Sequence, residues 1–234
     1  MRITSFLLLI FVFIPKTHAQ MTMIGFRGGV NLANQHYENL PDGESIFSRM
    51  LPMGGAEFDF RFTNSLDLSL QILDDQKGAH AEMVSKYDGG SAYATGMADW
   101  TISYLEVPII VKIFITNSIV RPYFFAGPSV GFLLSNIERL KTSGVYLING
   151  IYDTSSTDTV VTVNISDSTS KIDFSIIAGA GLSIKLNSGL ELFVDAGYAF
   201  GLTNIDNYFA DKAKDHYIYS RDIRIAAGIL FPIP

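Results

Sequence analysis

Residues 103–134 read SYLEVPIIVKIFITNSIVRPYFFAGPSVGFLL, two long alternating segments joined by a short polar turn. In the first, Leu105, Val107, Ile109, Val111 and Ile113 share one parity, and Glu106 and Lys112 fall on the other. In the second, Pro122, Phe124, Ala126, Pro128, Val130, Phe132 and Leu134 stand against Arg121, Tyr123, Gly127, Ser129 and Gly131. Side chains on a strand alternate faces, so each segment has one apolar face without charge and one face with charges and small residues. Strands of soluble domains usually run about five or six residues. These are longer, and they match the roughly ten residues a tilted strand needs to cross a bilayer. The stretch reads as a transmembrane β-hairpin.

The same alternation recurs along the chain, at 23–32, 54–63, 66–73, 101–114, 120–134, 172–186, 190–202 and 222–233. Long connections (33–53, 74–100, 135–171 and 203–221) alternate with short ones at 64–65, 115–119 and 187–189. The short ones are built from Asn, Ser, Thr and Gly, which accept tight turns. Strict long–short alternation is the habit of an up-and-down barrel with tight turns at one end and long loops at the other. The pattern predicts an all-β fold, a transmembrane antiparallel β-barrel of about eight strands. Both termini are expected on the periplasmic side.

Outside the strands, the first residues have the form of a secretory signal peptide. Arg2 precedes an apolar run at 6–14, too short to span a membrane as a helix, and Thr17-His18-Ala19 is an approximate cleavage site. The expected organisation is a signal peptide at 1–19 and one barrel domain at 20–234. No cysteine is present, which excludes a disulfide framework, a thiolate metal site and a cysteine nucleophile. The formal net charge is −6 and there is no basic stripe, so nucleic acid is not an expected partner.

With the apolar parity facing lipid, the other parity places Arg27, Arg61, Lys112, Arg121, Lys185 and Arg224 in the lumen. Glu57, Asp59, Asp67, Glu106, Asp173, Glu191, Asp195 and Asp222 face them. A lumen ion-pair network is expected from Arg27, Glu57, Asp59, Arg61, Glu106, Lys112, Arg121, Asp173, Lys185, Glu191, Asp195 and Arg224. The predicted lipid-facing positions carry no charge, which at the bilayer midplane would cost about 2–4 kcal/mol for Arg or Lys. Many glycines, among them Gly25, Gly29, Gly179, Gly181 and Gly228, fall on the lumen parity, where a narrow interior needs small residues. The lumen is expected to be plugged.

Tyr104-Leu105-Glu106-Val107-Pro108, Arg121-Pro122-Tyr123 and Ala126-Gly127-Pro128-Ser129 resemble the PorT-type outer-membrane β-barrel family, among the OmpA-like small barrels. GFRGGVNLAN at 25–34, Ala178-Gly179-Ala180-Gly181-Leu182 and the run from Tyr198 to Ile205 extend the likeness over nearly the whole mature chain. The third strand of that family leads into Gln-Lys-Gly. Here Gln76-Lys77-Gly78 is present, but Asp74-Asp75 precede it and shorten the lipid-compatible run. The resemblance implies an outer-membrane barrel of Gram-negative bacteria, and the namesake is linked to protein secretion.

No catalytic constellation is legible. His36, His80 and His216 fall in three different predicted loops without metal-ligand spacing. Asp74-Asp75 form a carboxylate pair at the predicted outer mouth, a candidate for a divalent cation or for hydrolysis. Gly28-Gly29 and Gly179-x-Gly181 lie within strands and fail the context of a phosphate loop. The reading is an outer-membrane barrel with a structural, accessory or secretion-associated role, not an enzyme, without cofactor. Its partners are outer-membrane lipid and proteins met through extracellular loops or a secretion complex. The alternatives are a lipid-modifying hydrolase or acyltransferase, and a small pore.

Overall fold

A computed structural model describes residues 21–38, 44–87, 92–144, 146–148, 151–153, 159–186, 189–207 and 217–233. The expected signal peptide and His216 lie outside the described residues. The strands are β1 (Met21–Glu38), β2 (Glu44–Phe47), β3 (Arg49–Arg61), β4 (Leu66–Lys77), β5 (His80–Tyr87), β6 (Ala92–Phe114) and β7 (Val120–Gly144). There follow β8 (Tyr146–Ile148), β9 (Ile151–Asp153), β10 (Thr159–Asn164), β11 (Ile172–Lys185), β12 (Glu191–Gly201) and β13 (Tyr217–Ile233).

Eight of these close a ring in the order β1-β3-β4-β6-β7-β11-β12-β13, with β13 returning to β1. Every pairing is antiparallel. The register defines the stagger. From Gly28, paired residues lead one way through Gly54, Asp74, Leu105 and Phe132 to Ile172. The other way they lead through Ala227 and Val194 to Leu182, ten residues along the same strand. A closed sheet with that shear tilts its strands by roughly 35–45°.

Burial is inverted relative to a soluble domain. Ile109, Val111, Ile113, Phe124, Phe174, Ile176, Val194 and Ile225 are exposed on the outer wall, while charged side chains fill the buried set. An apolar belt around the wall is what hydrocarbon requires. Small apolar clusters lie inside between the polar groups: Met23 with Phe193 and Leu230, and Ile110 with Ile177 and Ala199.

At the turn end the connections are tight. Phe62 N–H and Thr63 N–H both donate to Leu66 O, and Ile115 N–H donates to Pro122 O. Gly189 adopts φ +80°, a left-handed conformation for which glycine is the default. At the loop end the strands outrun the sequence expectation. The predicted loops 33–53, 74–100, 135–171 and 203–221 are in part strand: β1 continues to Glu38, β4 to Lys77, β7 to Gly144, and β6 and β13 start at Ala92 and Tyr217. Past the apolar belt both faces meet water or polar chain, so alternation fades while the backbone ladder continues. There β5 takes the place of β4 beside β6, β10 takes the place of β11 beside β7, and β2 pairs with β5. A bulge at Ser103/Tyr104 shifts the β6–β7 register where this extension begins.

Glycine decides two close contacts in the wall. A Cβ at Gly228 would sit 2.4 Å from the Phe26 carbonyl oxygen and 2.4 Å from the Phe193 ring. At Gly181 it would lie 2.5 Å from the Tyr123 ring. These rings lie across bare strand backbone. Gly228→Val is therefore expected to abolish the heat-modifiable band of the refolded barrel on gels. Ala227→Val on the exposed face should keep it. Equal folding of the two variants would contradict this packing.

Candidate functional site

The lumen side chains come from strand positions of one parity and gather in three tiers. At the turn end, Arg61 Nη2 donates to Glu191 Oε1 at 2.9 Å and lies 3.3 Å from Asp67 Oδ2. Arg121 Nη1 reaches the same Glu191 oxygen at 3.2 Å, and its Nη2 donates to Asn64 O at 3.1 Å. Ser183 Oγ donates to the other Glu191 oxygen at 3.0 Å. The Arg121 guanidinium stacks 3.6 Å from the centroid of the Phe114 ring.

In the middle tier, Arg27 bridges Glu57 at 3.2 Å and Asp195 at 2.8 Å. Lys112 Nζ donates to Glu57 and to Asp59, the latter at 2.8 Å. Ser69 Oγ donates to Glu57 at 2.9 Å and Tyr123 Oη to Asp195 at 2.9 Å. At the loop end, Arg224 Nη2 binds Asp75 at 2.9 Å and Glu106 at 2.7 Å. Lys77 Nζ donates to Asp173 at 2.8 Å and stands 3.7 Å from Glu106. Ser129 Oγ donates to Glu106 at 2.8 Å, and Asn31 Nδ2 to Asp75 at 3.3 Å. Asp222, also buried, accepts the Asn34 backbone N–H at 3.4 Å.

Withdrawing an ion from water costs several kcal/mol, so such charges persist only where each has several partners. Here Glu57, Glu106 and Glu191 each meet two cations and a serine hydroxyl. Between the apolar clusters the tiers fill the interior with interlocked side chains: Arg121, Glu57 and Glu106 are each 0% exposed.

Of the expected network, Lys185 stands apart. It donates to Asn117 Oδ1 at 3.1 Å at the turn-end rim, and among the described residues it joins no ion pair. Its strand ends there, so its long side chain follows solvent. The expected carboxylate pair Asp74-Asp75 is corrected. Consecutive strand residues face opposite sides, so Asp75 is buried in the lumen while Asp74 is exposed on the outer wall. Asp75 and Lys77 belong to the network, and the sequence reading missed them. The available signal was the polar parity of Asp67, Ser69, Gln71, Asp75 and Lys77 along β4, interrupted only by Leu73.

One further polar cluster lies on the extension. His80 Nδ1 stands 2.8 Å from Asp99 Oδ1, and His80 Nε2 3.6 Å from Glu82. Arg49 Nε approaches Asp99 at 3.6 Å, and its Nη1 donates to Trp100 O at 2.7 Å. His36 is exposed on β1, which does not pair with β5, and so stands outside this cluster. Among the described residues no group of His, Asp or Glu has the arrangement of a metal site.

Residues 18–207 match the family described as outer membrane protein beta-barrel domain, and the chain belongs to that family. No curated protein matches the sequence. Among solved structures, the attachment invasion locus protein Ail of Yersinia pestis aligns at 12% identity and TM-score 0.36, over 91% of this chain and 100% of Ail. OprG of Pseudomonas aeruginosa aligns at 12% identity and TM-score 0.41, over 92% of this chain and 97% of OprG. The outer membrane protease OmpT of Escherichia coli aligns at 8% identity and TM-score 0.48, over 92% and 97%.

Removing Arg224 leaves buried Asp75 and Glu106 without that cation. Arg224→Met is expected to lower unfolding stability in denaturant by about 3–5 kcal/mol. Lys185→Ala at the rim should change it by no more than about 0.5 kcal/mol. Urea titration of the refolded barrels, followed by tryptophan fluorescence and gel mobility, separates the two. A similar loss for both would show that the tiers do not carry the interior.

Proposed function

We propose that this outer-membrane β-barrel protein is a plugged scaffold whose work is recognition at its loop end. The observation that supports it is the contrast between the two parts of the molecule. The lumen is closed by paired charges, while the strands continue beyond the apolar belt into a sheet of β2, β5, β6, β7 and β10. Loops on rigid scaffolds are the usual carriers of recognition. In this reading the turn end and both termini face the periplasm, and the extension faces outward. Its partners are proteins met at the surface. The likeness of 104–112 and 121–129 to the PorT-type family favours an accessory place beside a secretion complex. The role is binding, not catalysis.

The chain has no cysteine, so orientation can be read cleanly. Thr162→Cys on β10 should react with a membrane-impermeant maleimide on intact cells, and Asn117→Cys only after the cells are opened. The reverse labelling would sink the orientation. The wild-type barrel should give no discrete conductance in planar bilayers. Conductance that rises on Glu106→Ala or Arg121→Ala would favour a small pore instead.

A second reading has one observation behind it, the 2.8 Å contact of His80 with Asp99 on the extension. A carboxylate-oriented imidazole is the form of a general base. A lipid hydrolase would release fatty acid from phospholipid in mixed micelles and lose that activity in His80→Ala and Asp99→Asn. No release by the wild-type protein rules this reading out.

A further inference from the structure

Going up the outer face of β13 from the turn end, Ile225 and Ile223 are exposed apolar residues, and Arg221 is the first charge. It pairs in register with Phe200 on β12 and Asn34 on β1, both on the same outer face. Above it stand Tyr219 and Tyr217, stacked at 6.4 Å with an interplanar angle of 15°. Arg221 therefore marks the loop-end margin of the apolar belt on this side of the barrel. Its guanidinium lies 3.7 Å from the centroid of the Phe200 ring and 5.4 Å from that of Tyr219. The Nη1 group donates to Gly201 O at 2.7 Å and Ser220 O at 2.8 Å, where β12 ends. Nε and Nη2 are not engaged by the described residues.

We propose that Arg221 is the headgroup contact of a bound anionic lipid, recognising its phosphate. Three features carry this. The residue sits at the boundary between an apolar wall and a polar extension, where headgroups lie. Its planar fork is locked in place by Phe200 and by two carbonyl acceptors, so little rotamer freedom is lost when a phosphate binds. The remaining N–H groups match phosphate oxygens in the way a guanidinium does and an ammonium does not. The acyl chains of the same lipid lie against exposed Ile223, Ile225 and Phe200. Tyr219 and His36, paired with each other in register, are the next titratable groups on this face. The assignment rests on the reading that the barrel spans a membrane.

The test uses the full chain refolded into neutral-detergent micelles that contain phosphatidic acid and the diacylglycerol of the same chains. Retained lipid is counted by native mass spectrometry. The wild-type protein should retain phosphatidic acid in preference to diacylglycerol by roughly tenfold, the size of a charge-assisted hydrogen bond. Arg221→Gln should erase the preference, and Arg221→Lys should weaken it. Inorganic phosphate should not displace the lipid; displacement would overturn the lipid assignment in favour of a free-anion site. An unchanged preference in Arg221→Gln would also overturn it. If Arg221→Gln gives no heat-modifiable band, Arg221→Lys decides alone, and an unchanged preference there overturns the proposal. A wild-type chain without a heat-modifiable band would instead refute the membrane barrel. A folded wild-type barrel with no headgroup preference refutes only the site.

Discussion

In hydrocarbon every backbone N–H and C=O must find a partner within the protein, and this requirement organises the molecule. Seven antiparallel neighbours still leave two open edges, and the pairing of β1 with β13 removes them. That ladder runs from Thr22 opposite Ile233 to Glu38 opposite Tyr217. Closure fixes the ten-residue stagger, and the stagger sets the tilt and radius. With eight strands the interior is just wide enough for side chains to fill. The contents of the lumen follow from that width.

The filling is ionic because the outer face has taken the apolar residues. One parity of each strand must meet lipid, which leaves charges and small residues for the other. Burial of unpaired charge is expensive, so the acids and bases are distributed over three tiers in which the glutamates bridge neighbouring strands. Glu57 ties together β1, β4 and β6 through Arg27, Ser69 and Lys112. Glu191 joins β3, β7 and β11 through Arg61, Arg121 and Ser183. Each tier is thus a set of cross-links through the barrel interior.

Much of this was legible in residue parity. Glu106, Lys112 and Arg121 stand opposite an apolar face within residues 103–134, and their inward placement follows from the period of a strand. The same logic placed Arg27, Glu57, Asp195 and Arg224. It stopped short at Asp75 and Lys77, because Asp74 put a charge on the outer parity and made the strand seem finished. Asp74 lies high on the wall, at the margin of the belt, where a carboxylate meets headgroups and water. The predicted long loops are in part strand for a related reason. Above the belt no medium imposes alternation, so β5, β10 and the upper parts of β6 and β7 carry no periodic signature.

By itself the sequence determined which face of each strand meets lipid, how many strands cross and which ends carry tight turns. Those features are local: they depend on a two-residue period and on the chemistry of Asn, Ser and Gly. Which acid meets which base was decided by tertiary structure alone. Arg27 and Asp195 are far apart in sequence, and their 2.8 Å contact exists only because closure and stagger bring β1 and β12 to the same height. The placement of Arg221 over the Phe200 ring has the same origin, since registered pairing of β12 with β13, not periodicity along either strand, sets these side chains in contact.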